Sequence, residues 1–283
     1  MPTWDEAAIA GALKRVRLGV DPRRRRTGSG ARLGAGPGAS LEFHDHRAYV
    51  AGDDLRYLDW GVYARSDQLV LRRHRQEVSP RIEVLLDASL SMGANPAKAA
   101  LAAGLTALVA SLAQADGARP LLWAAGERWR RIGEGGEWRP ALRTLGWVGA
   151  AGLEQRPAPT LAPGGERVLI SDGLCPAGGA EVVRSLGNGA GRICLVQVLT
   201  AAEREPSVIG AARLEDVEGG AADLVLDDAA CAAYRERLSR HQGGWQAALA
   251  GRGAGLVTCT VEEGLEGALR VLLAAGVLEP RSG

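Results

Sequence analysis

The chain has 283 residues, 46% of them hydrophobic and 24% charged, with 34 basic and 33 acidic side chains and a formal net charge of +1. Those values exclude a disordered, collagen-like or disulfide-scaffold chain, and near-neutrality argues against a protein whose main work is coating nucleic acid. The balance is uneven along the chain: residues 1–81 carry 15 Lys/Arg against 10 Asp/Glu, and residues 82–283 carry 19 against 23.

The N-terminal stretch MPTWDEAAIAGALKRVRLG places Asp5 and Glu6 ahead of its apolar residues, so it reads as a short amphipathic helix and not as a signal peptide. Thr3 with Glu6 predicts a capping box. Residues 21–40 are rich in Arg, Gly and Ser, including the arginine run 23–26, and read as a solvated linker. Residues 41–78 contain strand-like pieces, notably 68–73, between turn residues. The four cysteines (Cys175, Cys194, Cys231, Cys259) are scattered without a CxxC pair. They predict reduced, packed thiols and a cytoplasmic protein.

From Arg81 the pattern changes. RIEVLLD is an apolar run ending on Asp87, and Asn95-Pro96 supplies an N-cap and first-turn proline for a helix to about residue 114. That helix contains Lys98, Gly104, Thr106 and Ser111, which suits a buried Ala-rich helix better than a membrane span. Strands are expected at 118–126 and 128–133, a helix at 137–147, and a strand at 167–172 ending on Asp172. A helix at 178–187, a strand at 192–199, a hairpin at 211–227, a helix at 229–250, a strand at 255–261 and a helix at 263–275 follow. Alternation of this kind predicts an α/β fold, a mostly parallel sheet with helices on both faces. The domain reading is a helix and flexible segment over 1–40, a β-rich subdomain over 41–80 and an α/β domain over 81–278.

Ligands of open α/β sheets gather beyond the carboxyl ends of the strands. Asp87-x-Ser89-x-Ser91 sits directly after a strand, and Asp172 ends another. One carboxylate and two hydroxyls are hard oxygen donors of the kind Mg²⁺ takes, with a second carboxylate within reach from a neighbouring strand. The plainer reading is that these residues cap turns.

This arrangement resembles the metal-ion-dependent adhesion site of von Willebrand factor A domains. It resembles more closely the bacterial family called domain of unknown function 58. The family signature is matched by Arg47, Tyr49, Gly52, Asp53, Asp54, Arg56, Asp59, Trp60, Ala64 and Arg65 upstream of the DxSxSM loop. Farther on it is matched by Leu214, Asp216, Glu218 and Gly220. The resemblance implies a Rossmann-like sheet in the order 3-2-1-4-5-6, with Mg²⁺ at Asp87, Ser89, Ser91 and Asp172. It also implies a non-enzymatic adaptor acting with a MoxR-type AAA+ ATPase. One departure stands out: the third loop of such sites contributes a threonine, and neither Thr144 nor Thr160 has the right setting, so the metal site reads as incomplete.

Two rival readings follow from the residues. Asp53, Asp54 and Asp59 could form the carboxylate cluster of a metal-dependent hydrolase, although turn hydrogen bonds and Arg–carboxylate pairs, with Trp60 and Tyr63 as anchors, explain them more simply. The basic stretch from Arg15 to Arg32 could tether the chain to anionic lipid or nucleic acid. His44 and His46 at strand spacing could ligate zinc but lack further ligands. Ser91 has only Lys98 nearby as a base, about two turns into its helix. Trp123, Trp129, Trp138 and Trp147 read as core or groove-lining residues.

Overall fold

The computed structural model describes residues 3–19, 41–76, 81–134, 137–207, 210–215, 221–252 and 255–281. They divide into two units, Val20–Ser79 and Met1–Gly19 with Pro80–Gly283. The N-terminal helix thus groups with the α/β sheet and not with the segment 1–40 in which the sequence placed it. Of the tether's arginines, those at 23–26 and 32 lie outside the described residues. Arg15 and Arg17 pair with Glu266 at 2.6 Å and Glu279 at 2.9 Å.

Helix α1 (Glu6–Arg15) is capped by Asp5, whose carboxylate accepts from the N–H groups of Ala7 and Ala8. The expected Thr3–Glu6 box does not form, because Asp5 stands one residue before the helix and already covers its free N–H groups. Glu6 instead accepts from the Trp4 indole and from Arg143. Strand β1 (Val16–Leu18) follows at once.

In the unit Val20–Ser79, β2 (Leu41–Ala48) pairs antiparallel with β3 (Val70–Gln76), and α2 (Trp60–Ser66) lies between them in sequence. Leu58 bridges to Leu71, and both are buried. Trp60 is 61% exposed and meets Tyr63 edge to face at 6.2 Å, so neither is the buried anchor expected of it. The side chains of His44, Asp45 and His46 lie outside what is described.

The second unit resumes with β4 (Arg81–Asp87), α3 (Leu90–Gly93) and α4 (Pro96–Ala115), then β5 (Arg119–Ala125), β6 (Trp129–Glu134) and α5 (Trp138–Arg143). After these come β7 (Glu166–Ser171), α6 (Gly179–Gly187), β8 (Arg192–Leu199) and α7 (Ala201–Arg204). The hairpin β9 (Gly210–Glu215) and β10 (Ala221–Leu226) leads to α8 (Asp228–Leu249), β11 (Gly255–Thr260), α9 (Gly264–Ala274) and β12 (Leu278–Pro280).

The main sheet runs β11-β8-β7-β4-β5-β6, parallel except for the last strand. Numbered within the sheet this is 3-2-1-4-5-6 read from the β6 edge, the order the resemblance implied. Asn95 caps α4 as predicted, accepting from the Ala97 and Lys98 N–H groups. The helix is long and apolar enough to cross a membrane, yet 15 of its 20 residues are buried inside this unit. Its small side chains let it lie close on β4 and β5 and also receive α1, α9 and β1. Strand β1 pairs with β12, tying the first residues of the unit to the last. The opposite face is covered by α6 and α8, with Val182, Val183, Leu186, Trp245 and Leu249 packed on Leu85, Leu169 and Leu195.

Near the start of β4 and β7, Glu83 and Arg167 are fully buried as an ion pair, Nε to Oε2 at 2.9 Å. Arg167 also donates to the carbonyls of Leu186, Asn188 and Ala162, and the second oxygen of Glu83 accepts from Ala162 N–H. Removing one partner of a satisfied buried pair strands a charge, at a cost of about 3–5 kcal/mol. Arg167→Met and Glu83→Leu should each lose about that much in urea unfolding. The double variant should recover most of it, and a simple sum of the two losses would contradict the pairing.

Candidate functional site

The carboxyl ends of β4 and β7 bring the sequence-selected residues to one edge. Ala88 N–H donates to Ala125 O at the end of β5, which holds the loop down. The Asp87 carboxylate accepts from Ser89 N–H at 3.1 Å and from the Ser171 hydroxyl at 2.7 Å. The hydroxyls of Ser89 and Ser91 lie 3.0 Å apart. Asp172, one residue past β7, accepts from Leu174 N–H on one oxygen and from Lys98 Nζ on the other, at 3.0 Å. Gly173 makes the turn that follows with φ +66°, and its carbonyl meets the Trp245 indole N–H at 2.8 Å and His241 Nε2 at 2.6 Å.

Lys98 lies in the first turn of α4, not two turns along it, because Pro96 is that helix's first residue. Its buried ammonium also donates to Glu203 Oε1 at 2.7 Å. Burial works against the charge, but Asp172 and Glu203 outweigh it and hold the pKa above its ordinary value. Glu203 is itself fixed by a capping box with Thr200 at the start of α7.

The connection from α5 to β7 departs from expectation. The helix expected over 137–147 ends at Arg143, and the chain then crosses the DxSxS loop. Val148 N–H donates to Ala88 O, and Leu90 N–H to Gly149 O. Trp147 packs against Gly93 so closely that a Cβ there would fall 2.3 Å from its own. Beyond a 3-10 turn at Leu153–Gln155, Arg156 extends to within 3.8 Å of Asp87 Oδ1. Where the resemblance calls for a neutral threonine, this chain presents a guanidinium.

Mg²⁺ would be held by Asp87, Ser89 and Ser91, with Asp172 behind them. The 3.0 Å separation of the two hydroxyls suits adjacent ligands at about 2.1 Å. The charges do not suit it. Like unit charges 4 Å apart repel by about 4 kcal/mol at an effective dielectric of 20, and a divalent ion doubles that. Such an ion would face Arg156 beside Asp87 and Lys98 on Asp172. The residues present therefore do not fit a resident magnesium ion.

The carboxylates of the upstream signature are each taken up locally. Arg47 forms a two-pronged pair with Asp53 at 2.7 and 2.6 Å, Arg56 holds Asp54 at 2.6 Å, and Asp59 caps α2 through the N–H groups of Gly61 and Val62. Gly52, at φ +104°, completes the turn closed by Asp53 N–H and Val50 O, while Tyr49 N–H bonds Leu69 O. Arg47 and Arg56 hold the Asp53 and Asp54 carboxyls below their ordinary range. Among the described residues Asp53, Asp54 and Asp59 do not gather as a metal-holding cluster, which the hydrolase reading needs: the string builds turns and caps. Arg65 is exposed in the last turn of α2.

The sheet order is the one that the resemblance to von Willebrand factor A domains implied, and the DxSxS loop lies at its carboxyl edge. The family model described as "Protein of unknown function DUF58" matches residues 45–143. The match covers the upstream signature and the DxSxS loop, about a third of the chain. Among solved structures it is similar to the conserved hypothetical protein BatB from Bacteroides thetaiotaomicron, at 14% identity and TM-score 0.37. That alignment covers 69% of this chain and 96% of that one. An aerotolerance-related membrane protein from Bacteroides fragilis NCTC 9343 aligns at 15% identity and TM-score 0.31, covering 56% and 87%. A von Willebrand factor type A protein from Catenulispora acidiphila aligns at 15% and 0.32, covering 47% and 36%. The fold assignment stands on the strand order and not on these likenesses. No curated protein matches the chain.

Burial first, then the field of Asp172, push the Asp87 carboxyl up to about 6 against its hydrogen bonds and Arg156. The folded chain therefore keeps a proton that the unfolded chain releases near 3.8. This contribution to stability is present at low pH and lost as pH rises through about 6. Urea unfolding from about pH 4 to about pH 7 should show a fall on the order of 2–3 kcal/mol that Asp87→Asn flattens. An unchanged slope in the variant would place the titration elsewhere.

Proposed function

We propose that this protein is a non-enzymatic protein-interaction module that engages its partner through the carboxyl edge of the main sheet. The observation that carries the reading is the make-up of that edge. Val148 (44% exposed) and Leu174 (42% exposed) stand on two loops whose backbones are bonded to Ala88 and to Asp172. Exposed apolar side chains beside a rigid polar loop are what a recognition surface requires. Further support comes from the would-be nucleophiles. Ser91 meets only another hydroxyl, and Lys98 is held by two carboxylates and has no role as its base. Burial pushes the Cys194 and Cys259 thiols up to about 12, far from a reactive thiolate.

The partner in this reading is a MoxR-type AAA+ ATPase and the setting is the cytoplasm, where the four buried free cysteines stay reduced. Magnesium is not part of it, for the charge reasons above. Purification of the tagged chain from its own cells should recover such an ATPase. Val148→Asp or Leu174→Asp should reduce recovery about tenfold, as loss of a central interface contact does. Each should leave the melting temperature nearly unchanged, as exposed substitutions do. An ATPase that never co-purifies, or co-purifies equally with both variants, would count against the reading.

A further inference from the structure

Two adjacent glycines, Gly243 and Gly244, lie exposed in the interior of helix α8. Glycine is the least favourable helix residue after proline. Among the described residues a Cβ at either position would meet no atom within 4 Å, so packing inside the chain does not require them. Gly244 lines a cleft of about 340 Å³, together with Arg237, Arg240, His241 and Gly178. Gly178, at φ +80°, stands just before α6, and a Cβ there would also meet nothing. The next residue, Gly179, lies so close to the Trp245 ring that α6 and α8 meet here.

The cleft is cationic. Arg237, Arg240, His241 and Gly244 follow at helical spacing and share one face of α8. None of the five lining residues is acidic. Among the described residues the Arg237 guanidinium has no ion pair or hydrogen bond. Arg240 meets Glu236 at 2.7 Å, but the two side chains are 69% and 72% exposed, and a pair so exposed contributes little and exchanges readily. The Gly173 carbonyl can only accept, so His241 Nε2–H donates to it, which leaves Nδ1 for a second partner.

We propose that the cleft between α8 and the start of α6 binds the phosphate group of a small phosphorylated molecule. A carboxylate is filled by one guanidinium fork, whereas a phosphate monoester has three terminal oxygens and takes both arginines. Glycine at 244 and 178 leaves room for the anion to reach the backbone, which a Cβ would occupy. The cleft is larger than a phosphate group needs, so its ligand carries an organic part of about the size of a sugar. The site is separate from the proposed partner surface, since neither Val148 nor Leu174 lines it.

The test titrates ribose 5-phosphate, inorganic phosphate and ribose into the full chain at fixed ionic strength. Nitrogen-15 NMR follows the arginine Nε–Hε signals, and those of Arg237 and Arg240 are the ones missing from Arg237→Gln and Arg240→Gln. Ribose 5-phosphate should shift both signals, inorganic phosphate should shift them with weaker affinity, and ribose should shift neither. Arg237→Gln, an exposed substitution, should stay folded and bind ribose 5-phosphate about tenfold more weakly, read on Arg240. Gly244→Ala keeps every charge. It should raise the melting temperature, because alanine suits a helix better, yet bind about tenfold more weakly, because its methyl fills the gap. Arg235→Gln lies on the same helix outside the cleft, paired with Glu205, and should bind as the wild type does. A shift from ribose alone, equal weakening by Arg235→Gln and Arg237→Gln, or undiminished binding by Gly244→Ala would overturn the proposal. So would a phosphoserine peptide that binds at least about tenfold more tightly than ribose 5-phosphate. No ATPase is present in this experiment, so its outcome is independent of whether one co-purifies.

Discussion

Burying charge inside a parallel sheet is the constraint on which the rest of the α/β unit depends. Glu83, Asp87 and Asp172 are acids on or just past β4 and β7, with almost no solvent contact. Each needs a cation from elsewhere in the chain, and Arg167, Arg156 and Lys98 come from a neighbouring strand, a loop and a helix start. The three pairings fix how β4, β7, α4 and the connection before β7 meet. Hydrophobic burial drives the collapse, but apolar contacts tolerate sliding. An ion pair such as Glu83–Arg167, with partners on both ends, tolerates little.

The quality of the pairing separates structural from functional charge. Glu83–Arg167 is saturated at the amino ends of the strands, where no ligand site belongs in this kind of sheet. Lys98 is saturated by Asp172 and Glu203. Only at Asp87 is the charge balanced without being bonded, since Arg156 lies at 3.8 Å. That imperfection falls at the carboxyl edge, beside the exposed Val148 and Leu174. The contrast is among these three cations alone, since the indole nitrogens of Trp123, Trp129, Trp138 and Trp147 are also buried without a partner.

Periodicity made the sheet legible because the buried strands are near-continuous apolar runs, and Asn95-Pro96 marked the start of α4 to the residue. Asp87, Ser89, Ser91 and Asp172 were legible for the same reason, since strand ends point to the ligand edge. What escaped were contacts that only the fold creates. Arg156 sits in a proline-flanked loop with no local signal, and Glu203 is 105 residues from the lysine it binds. Lys98 was visible but placed a turn too far along a helix whose start was correctly read. The segment after Arg143 continued a helical pattern, yet its backbone hydrogen bonds go to the DxSxS loop. A tertiary demand outweighed a local preference there.

The family match covers only part of the residues that build the edge. Residues 45–143 include the turn-building string of the first unit, the DxSxS loop and Lys98. Arg156, Asp172, Glu203 and both arms of the cleft lie beyond it. The matched part contributes the scaffold: a strand ending on Asp87, two hydroxyls and a helix that delivers one cation. The connection before β7 adds Arg156 beside Asp87, and it is itself tied to the strands through Ala162, which bonds Glu83 and Arg167. Arg156 places the protein's own positive charge 3.8 Å from Asp87, where a bound cation would otherwise be its neighbour.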